Sequence, residues 1–283
     1  MIRTLGLAIA FSPTADRMLK AASVLLRIFN ARLVLIHVGD HGAKEEALMQ
    51  SMLSAHQLNP EIVSVCWEKG NTVRAILRAC ETQKVDLLLA GALTKENLIQ
   101  YYIGTVARQI MRKANCSVML LTQPVDEARG FKNIVVDAEE SPHVMDSLQM
   151  AIKLSGSGRD SWMHVVRELN LYGLAMSASD QCSEDEYKAI RQGLVREEIE
   201  KVEKLLQDIP HEGVTTNIKV VAGKSGYELA QFARRKKADL LVVGAPPRRF
   251  QLLDRVFTHD LEYVFADLPC NLLIVQRRKA SHG

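Results

Sequence analysis

The residues best suited to chemistry form one run: Gly91-Ala92-Leu93-Thr94, nine residues from Lys95 to Ile103, then Gly104-Thr105-Val106. Val106, Ile110 and Met111 recur at helical spacing, so a helix begins near Thr105. A glycine followed by a threonine at a helix start offers exposed backbone N–H groups, a hydroxyl and the positive end of the helix dipole. Together these suit an anion such as phosphate. Lys95 adds a charge. The same Gly-Thr pair also makes an ordinary helix N-cap, so the run alone leaves both readings open.

Other chemistries lack their parts. Neither a Walker lysine motif nor a Gly-x-Ser-x-Gly elbow occurs, and no Ser-His-Asp constellation stands out. His37 and His41 straddle a strand end and a loop, which is not helical metal-ligand spacing; His37 and His164 read as strand-end core histidines. His259-Asp260 reads as a hydrogen-bonded helix start. No catalytic residue and no metal site are expected. Five cysteines without a C-x-x-C pair argue against a disulfide framework and fit a reducing compartment; Cys116 and Cys270 read as packing residues. Lys plus Arg total 36 and Asp plus Glu 33, a net charge of +3 that is too even for a nucleic-acid-coating protein. No apolar run reaches the roughly 18 residues of a membrane helix. A cytoplasmic protein without nucleic-acid or membrane partners is therefore expected.

The elements that position the run are written twice. Val85-Asp86-Leu-Leu-Leu-Ala-Gly91-Ala92 matches Ala238-Asp239-Leu-Leu-Val-Val-Gly244-Ala245 at an offset of 153, and Gly70 and Gly223 share it. His37-Val38 pairs with His164-Val165 at an offset of 127. The difference of 26 residues falls between Arg167 and Lys219. There Val195, Ile199, Val202, Leu206 and Ile209 step by four and three, one apolar helix face that covers the sheet, with a partner-docking helix as the alternative.

In the first half, apolar strands are expected near Leu5–Phe11, Arg32–Val38, Glu61–Cys66, Asp86–Ala90 and Ser117–Leu121. Helices lie near Thr14–Phe29, Ala43–Ala55, Thr72–Gln83 and Thr105–Lys113. The second half repeats the scheme, with strands near Asn133–Asp137, Ser161–Val166, Thr215–Val221, Asp239–Val243 and Asn271–Val275. The segment Leu5–Phe11 has the look of a weak secretory signal, but its recurrence inside the chain favours a buried strand. Each half is thus an α/β domain: a five-stranded parallel sheet with helices on both faces. The domains span 1–124 and 131–279, separated near Pro124.

With these motifs in place, the two halves resemble tandem universal stress protein domains, Rossmann-like and related to the adenine nucleotide alpha hydrolases. The resemblance rests on Gly91, Gly104 and Thr105 at the family's Gly-x2-Gly-x9-Gly-Ser/Thr spacing. The Ile-His37-Val38 strand, the Gly70–Thr72 turn, the Val85–Leu89 run and the terminal Cys116-Ser-Val strand also carry it. Thr94 replaces the second glycine and loses its open φ range. The resemblance implies ATP or another adenine nucleotide in domain 1. The Val38 backbone would meet adenine, and Ala90, Gly91, Thr94, Gly104, Thr105 and Val106 would cradle phosphate. The ribose aspartate expected after the first strand is missing, with Ala10 read at that place.

Domain 2 keeps Asp137 there, but Pro247 and Phe257 replace the cradle glycines, so no nucleotide is expected in it. The resemblance further implies a regulatory or protective role, no enzyme activity, and a pseudo-dimer within one chain in which Ser117–Leu121 faces Asn271–Val275; a further homodimer is compatible with it. The alternatives are an interaction protein that binds no nucleotide, or a binder of an apolar ligand in domain 2 through Phe250, Leu252, Leu253 and Phe257.

Overall fold

The computed structural model describes residues 2–94, 101–122, 125, 130–139, 141–155, 161–169, 183–223, 226–245 and 264–276. The first half runs β1 (Thr4–Ala8), α1 (Ala15–Phe29), β2 (Arg32–Val38), α2 (Ala43–Ala55), β3 (Val63–Glu68), α3 (Thr72–Thr82), β4 (Leu87–Gly91), a hairpin β5 (Leu93–Thr94) and β6 (Tyr101–Tyr102), α4 (Thr105–Lys113) and β7 (Ser117–Leu121). The second half runs β8 (Asn133–Asp137), α5 (Val144–Leu154), β9 (Trp162–Leu169), α6 (Glu184–Gln207), β10 (Thr215–Ala222), α7 (Tyr227–Arg235), β11 (Leu240–Gly244) and β12 (Asn271–Val275).

Ten strands form one sheet in the order β10-β9-β8-β11-β12-β7-β4-β1-β2-β3. Each half is a parallel five-stranded sheet in the order third, second, first, fourth, fifth. The chain reverses direction across the sheet between the first and fourth strands, which opens a crevice at their carboxyl ends. The two halves join through β7 and β12, which pair antiparallel with Met119 opposite Leu273. The expected contact of the two last strands is therefore present.

Alternate strand residues feed two cores because successive side chains point to opposite faces. Leu5, Leu7, Leu33, Leu35 and Leu87 pack under α1, α2, α5 and α6. Val34, Ile36, Leu88, Ala90 and Leu120 pack under α3, α4 and α7. Both clusters run across the β7–β12 junction, so the domains share their cores.

Polar side chains pin the strand ends. Asp86 accepts hydrogen bonds from the N–H groups of Arg3 and Thr4 at 2.8 and 3.0 Å. Asp239 does the same for Lys132 and Asn133 at 2.8 and 2.9 Å. The repeated aspartate thus fastens the start of each fourth strand to the start of the first. At the junction, Asn271 accepts from Thr122 N–H at 2.8 Å and donates to the Asp239 carbonyl at 2.9 Å. Ser117 answers across the pseudo-twofold by donating to the Gln276 carbonyl at 3.0 Å.

These shared contacts correct the alignment of the halves. Arg32 N–H donates to the Arg3 carbonyl and Trp162 N–H to the Lys132 carbonyl, so Arg32 corresponds to Trp162 and the second strands are offset by 130, not 127. His37 therefore corresponds to Arg167, and His164 to Val34. Likewise Ile9 N–H donates to Ile36 and Ala138 N–H to Val166, which places Asp137 opposite Ala8 rather than Ala10. The insertion shrinks to 23 residues, from 153 minus 130. The sequence alignment slipped because strands buried on both faces are runs of Val, Leu and Ile, in which a shift leaves the composition unchanged.

Other bounds also moved. The first strand stops at Ala8, and the third starts at Val63 after a 3-10 turn over Pro60–Ile62. The helix expected from Val195 begins at Glu184, behind a capping box in which Ser183 accepts from Glu186 N–H and the Glu186 carboxylate accepts from Ser183 N–H. It covers the sheet through Val202 and Leu206, both buried.

Candidate functional site

The nine-residue spacing of the Gly-rich run is explained by the β5–β6 hairpin. Leu93 pairs with Tyr102 and Thr94 with Tyr101, which places the backbones on either side of the hairpin base next to each other. Gly91 and Gly104 therefore flank one stem, at the carboxyl end of β4 and the N-terminus of α4.

Gly104 is the N-cap of α4 with φ −67°, an extended conformation open to any residue. Its value lies in lacking a side chain over the helix end. Among the described residues no side chain is seen to cap α4, its first turn carries no acid, and Arg112 and Lys113 sit in its last turn. Thr105 and Val106 are exposed. With glycine as its N-cap residue, this end offers backbone N–H groups and the positive end of the dipole without a cap from its own N-cap side chain. By contrast, α3 is capped by Asn71, whose carbonyl accepts from Arg74 N–H at 3.1 Å after Gly70 turns at φ +97°. The start of α7 is filled by the Glu168 carboxylate, which accepts from Gly226 N–H at 2.9 Å and Leu229 N–H at 3.3 Å.

Gly91 is exposed and Ala90 buried, and both belong to β4. A cleft of about 30 Å³ opens between Gly91, Thr14 and Arg17. Arg17, on the first turn of α1, is the cation that sequence reasoning missed. Its signal was a basic residue just inside the helix that follows the first strand.

Val38 ends β2, which only β1 separates from β4, and its neighbourhood is aromatic. Phe11 packs on His37 with ring centroids 4.5 Å apart, and His37 meets Trp67 edge-on at 5.3 Å. His41 stacks flat on Trp67 at 4.5 Å. His37 is buried, with Nδ1 3.1 Å from the Ile9 carbonyl. The four rings close the carboxyl ends of β1 to β3, and no carboxylate stands at Ala8 or Ala10.

In domain 2 the corresponding ground is charged. Burial pushes the Asp137 carboxyl up to about 7, the carboxylates of Glu139 and Glu168 add to the rise, and Glu139 N–H and Arg167 oppose it. Arg167 donates to the Ala138 carbonyl at 2.6 Å and pairs with Glu198 of α6. Glu168 stands at the position of Val38. A Cβ on Gly244 would sit 2.6 Å from Ser141 Oγ, so the loop after β8 lies directly on the fourth-strand glycine. Lys95, Pro247, Phe250, Leu252, Leu253, Phe257 and His259-Asp260 lie outside the described residues.

Among the described residues, no group of three or more His, Cys, Asp and Glu side chains could hold a metal, and no helix is long and apolar enough to cross a membrane. Cys66, Cys80, Cys116 and Cys270 are free thiols, and the last three are buried.

The Universal stress protein family matches residues 1–122 and again 130–276. The chain belongs to the universal stress protein family. It carries two copies of the family's domain, and the copies pair within one chain through β7 and β12. Among solved structures, a universal stress protein from Archaeoglobus fulgidus DSM 4304 is similar over 97% of this chain and 98% of that one, with TM-score 0.60 and 12% identity. A functionally unknown protein from Pseudomonas aeruginosa PAO1 is similar over 97% and 92%, with TM-score 0.66 and 14% identity. Likeness at this identity speaks for the tandem Rossmann-like fold. A comparison with curated proteins gives no match.

Proposed function

We propose that this universal stress protein is a non-catalytic, cytoplasmic regulator of the stress response that holds an adenine nucleotide in domain 1. The observation that carries this reading is the N-terminus of α4. Among the described residues it has no side-chain cap, it carries no acid in its first turn, it stands behind a glycine, and a hairpin sets it beside Gly91. Phosphate oxygens accept from the first N–H groups of α4 and from Thr105. Arg17 adds charge across the cleft, and the Val38 backbone meets the base. Among the described residues no general base adjoins these groups, and in this reading binding acts through association of the two domains or of two chains rather than through turnover.

One link supports coupling to domain 2. Ile103 N–H, just before the cradle, donates to the Phe265 carbonyl at 3.1 Å, and the Arg108 guanidinium lies 5.9 Å from the Phe265 ring centre. A nucleotide that moves the cradle therefore pulls on the other domain.

A second reading, an interaction protein without nucleotide, is favoured by the Phe11–His37–Trp67 stack, which fills the end of the sheet where a base would lie. Calorimetric titration with ATP, ADP and AMP separates the two. The nucleotide reading expects saturable binding that Gly104→Tyr abolishes and Arg17→Ala weakens about tenfold, as loss of one charge-assisted contact of roughly 1.4 kcal/mol would give. Absence of heat at millimolar nucleotide refutes it.

A further inference from the structure

A groove of about 490 Å³ lies outside the nucleotide reading, in domain 2, between the start of α5 and the inserted helix α6. Its volume falls within the range of small-molecule sites. The walls are aliphatic: Pro142 and Val144 on one side, Leu205 on the other. Among the described residues that line it none is aromatic, so none of them stacks on a nucleobase. Its polar groups are mainly cationic. Arg167 forms part of the floor, with its guanidinium held by the Ala138 carbonyl and Glu198. Lys201 is drawn to the same carboxylate, with Nζ 2.7 Å from Glu198 Oε1. Lys204 stands exposed at the rim, one helical step further along. Glu198 thus organises the floor, while Lys204 presents a positive charge where the apolar walls end.

We infer that this groove binds a small aliphatic carboxylate, with its chain between Pro142, Val144 and Leu205 and its head group on Lys204. Apolar walls draw hydrocarbon out of water, and a lysine at the rim selects an anion over a neutral chain of equal length. The site is a product of the second half alone. The helix in the same place in domain 1, α2, has 13 residues and one buried side chain, Met49, whereas α6 has 24 residues and supplies both lysines. The inference therefore stands apart from the nucleotide reading, since it uses none of the residues of the α4 cradle.

The test is calorimetric titration of the full chain with decanoate, decanol and acetate. Saturable binding of about one decanoate per chain is expected, with decanol and acetate each at least tenfold weaker. Lys204→Glu should weaken decanoate binding tenfold or more, and Leu205→Trp, which fills the groove, should abolish it. Lys204 is exposed, so its variant should keep the unfolding midpoint of the parent. Gly104→Tyr should leave decanoate affinity unchanged, which separates this site from the nucleotide site. Absence of saturable binding at millimolar decanoate overturns the inference. So does equal affinity for decanol, or an unchanged affinity in Lys204→Glu.

Discussion

Asp137→Asn should stabilise the protein, and by an amount that grows with pH. The carboxyl rises from an unfolded value of 3.8 to about 7 because partial desolvation and the carboxylates of Glu139 and Glu168 disfavour its charge. Between those values the folded chain holds a proton that the unfolded chain has released. Stability is therefore greatest below about pH 4 with respect to this group, and it falls as pH rises through 7. Above that the full penalty applies, at most about 4 kcal/mol for a shift of this size. Asp137 is only partly buried, so solvent screening reduces this to about 2–3 kcal/mol. Asparagine keeps an oxygen for Glu139 N–H, which now donates to Asp137 Oδ1 at 3.1 Å, and it removes the charge. Urea unfolding of both proteins should give similar midpoints near pH 4.5, with the variant pulling ahead up to about pH 7 and keeping that lead to pH 8. A difference that stays constant across that range, or a variant that is less stable at pH 8, would refute the reasoning. It would mean that Arg167, not burial, sets the state of this carboxyl.

Two further predictions concern the joints of the fold. Asn271→Leu removes the amide that serves both the buried Thr122 N–H and the Asp239 carbonyl, so equilibrium unfolding should show a loss of about 2–4 kcal/mol. A loss under about 0.5 kcal/mol would mean that the β7–β12 junction rests on packing alone. Asp86→Ala and Asp239→Ala each free two N–H groups, and Asp239→Ala should cost more, about 3 against 2 kcal/mol. The order follows from burial: both bonds of Asp239 are partly buried, while one of the two at Asp86 is exposed. Denaturation midpoints of the two variants check it.

Much of the fold was legible because its signals are local. The alternation of short apolar strands with amphipathic helices is read from the residues directly, as is the recurrence of Val85-Asp-Leu-Leu as Ala238-Asp-Leu-Leu. The core face of α6 was visible in its four-and-three spacing. Its first eleven residues were not, because Ile190 faces outward and Tyr187 is only half-buried, which leaves no apolar stripe. The capping box at Ser183–Glu186 was the signal that marks this start. The β5–β6 hairpin escaped because two-residue strands carry no periodicity.

The amino-acid order alone determined two α/β domains, their parallel strands and a Gly-Thr helix start suited to an anion, since each depends on neighbours within a few residues. Only the folded chain decided which residues correspond between the halves, because register is set by long-range hydrogen bonds and not by composition. It also decided that Phe11, His37 and Trp67 meet at one sheet end, that Arg17 faces Gly91, and that α6 leaves a groove over Arg167. Those groups lie far apart in sequence, and crossover connections of the sheet bring them together.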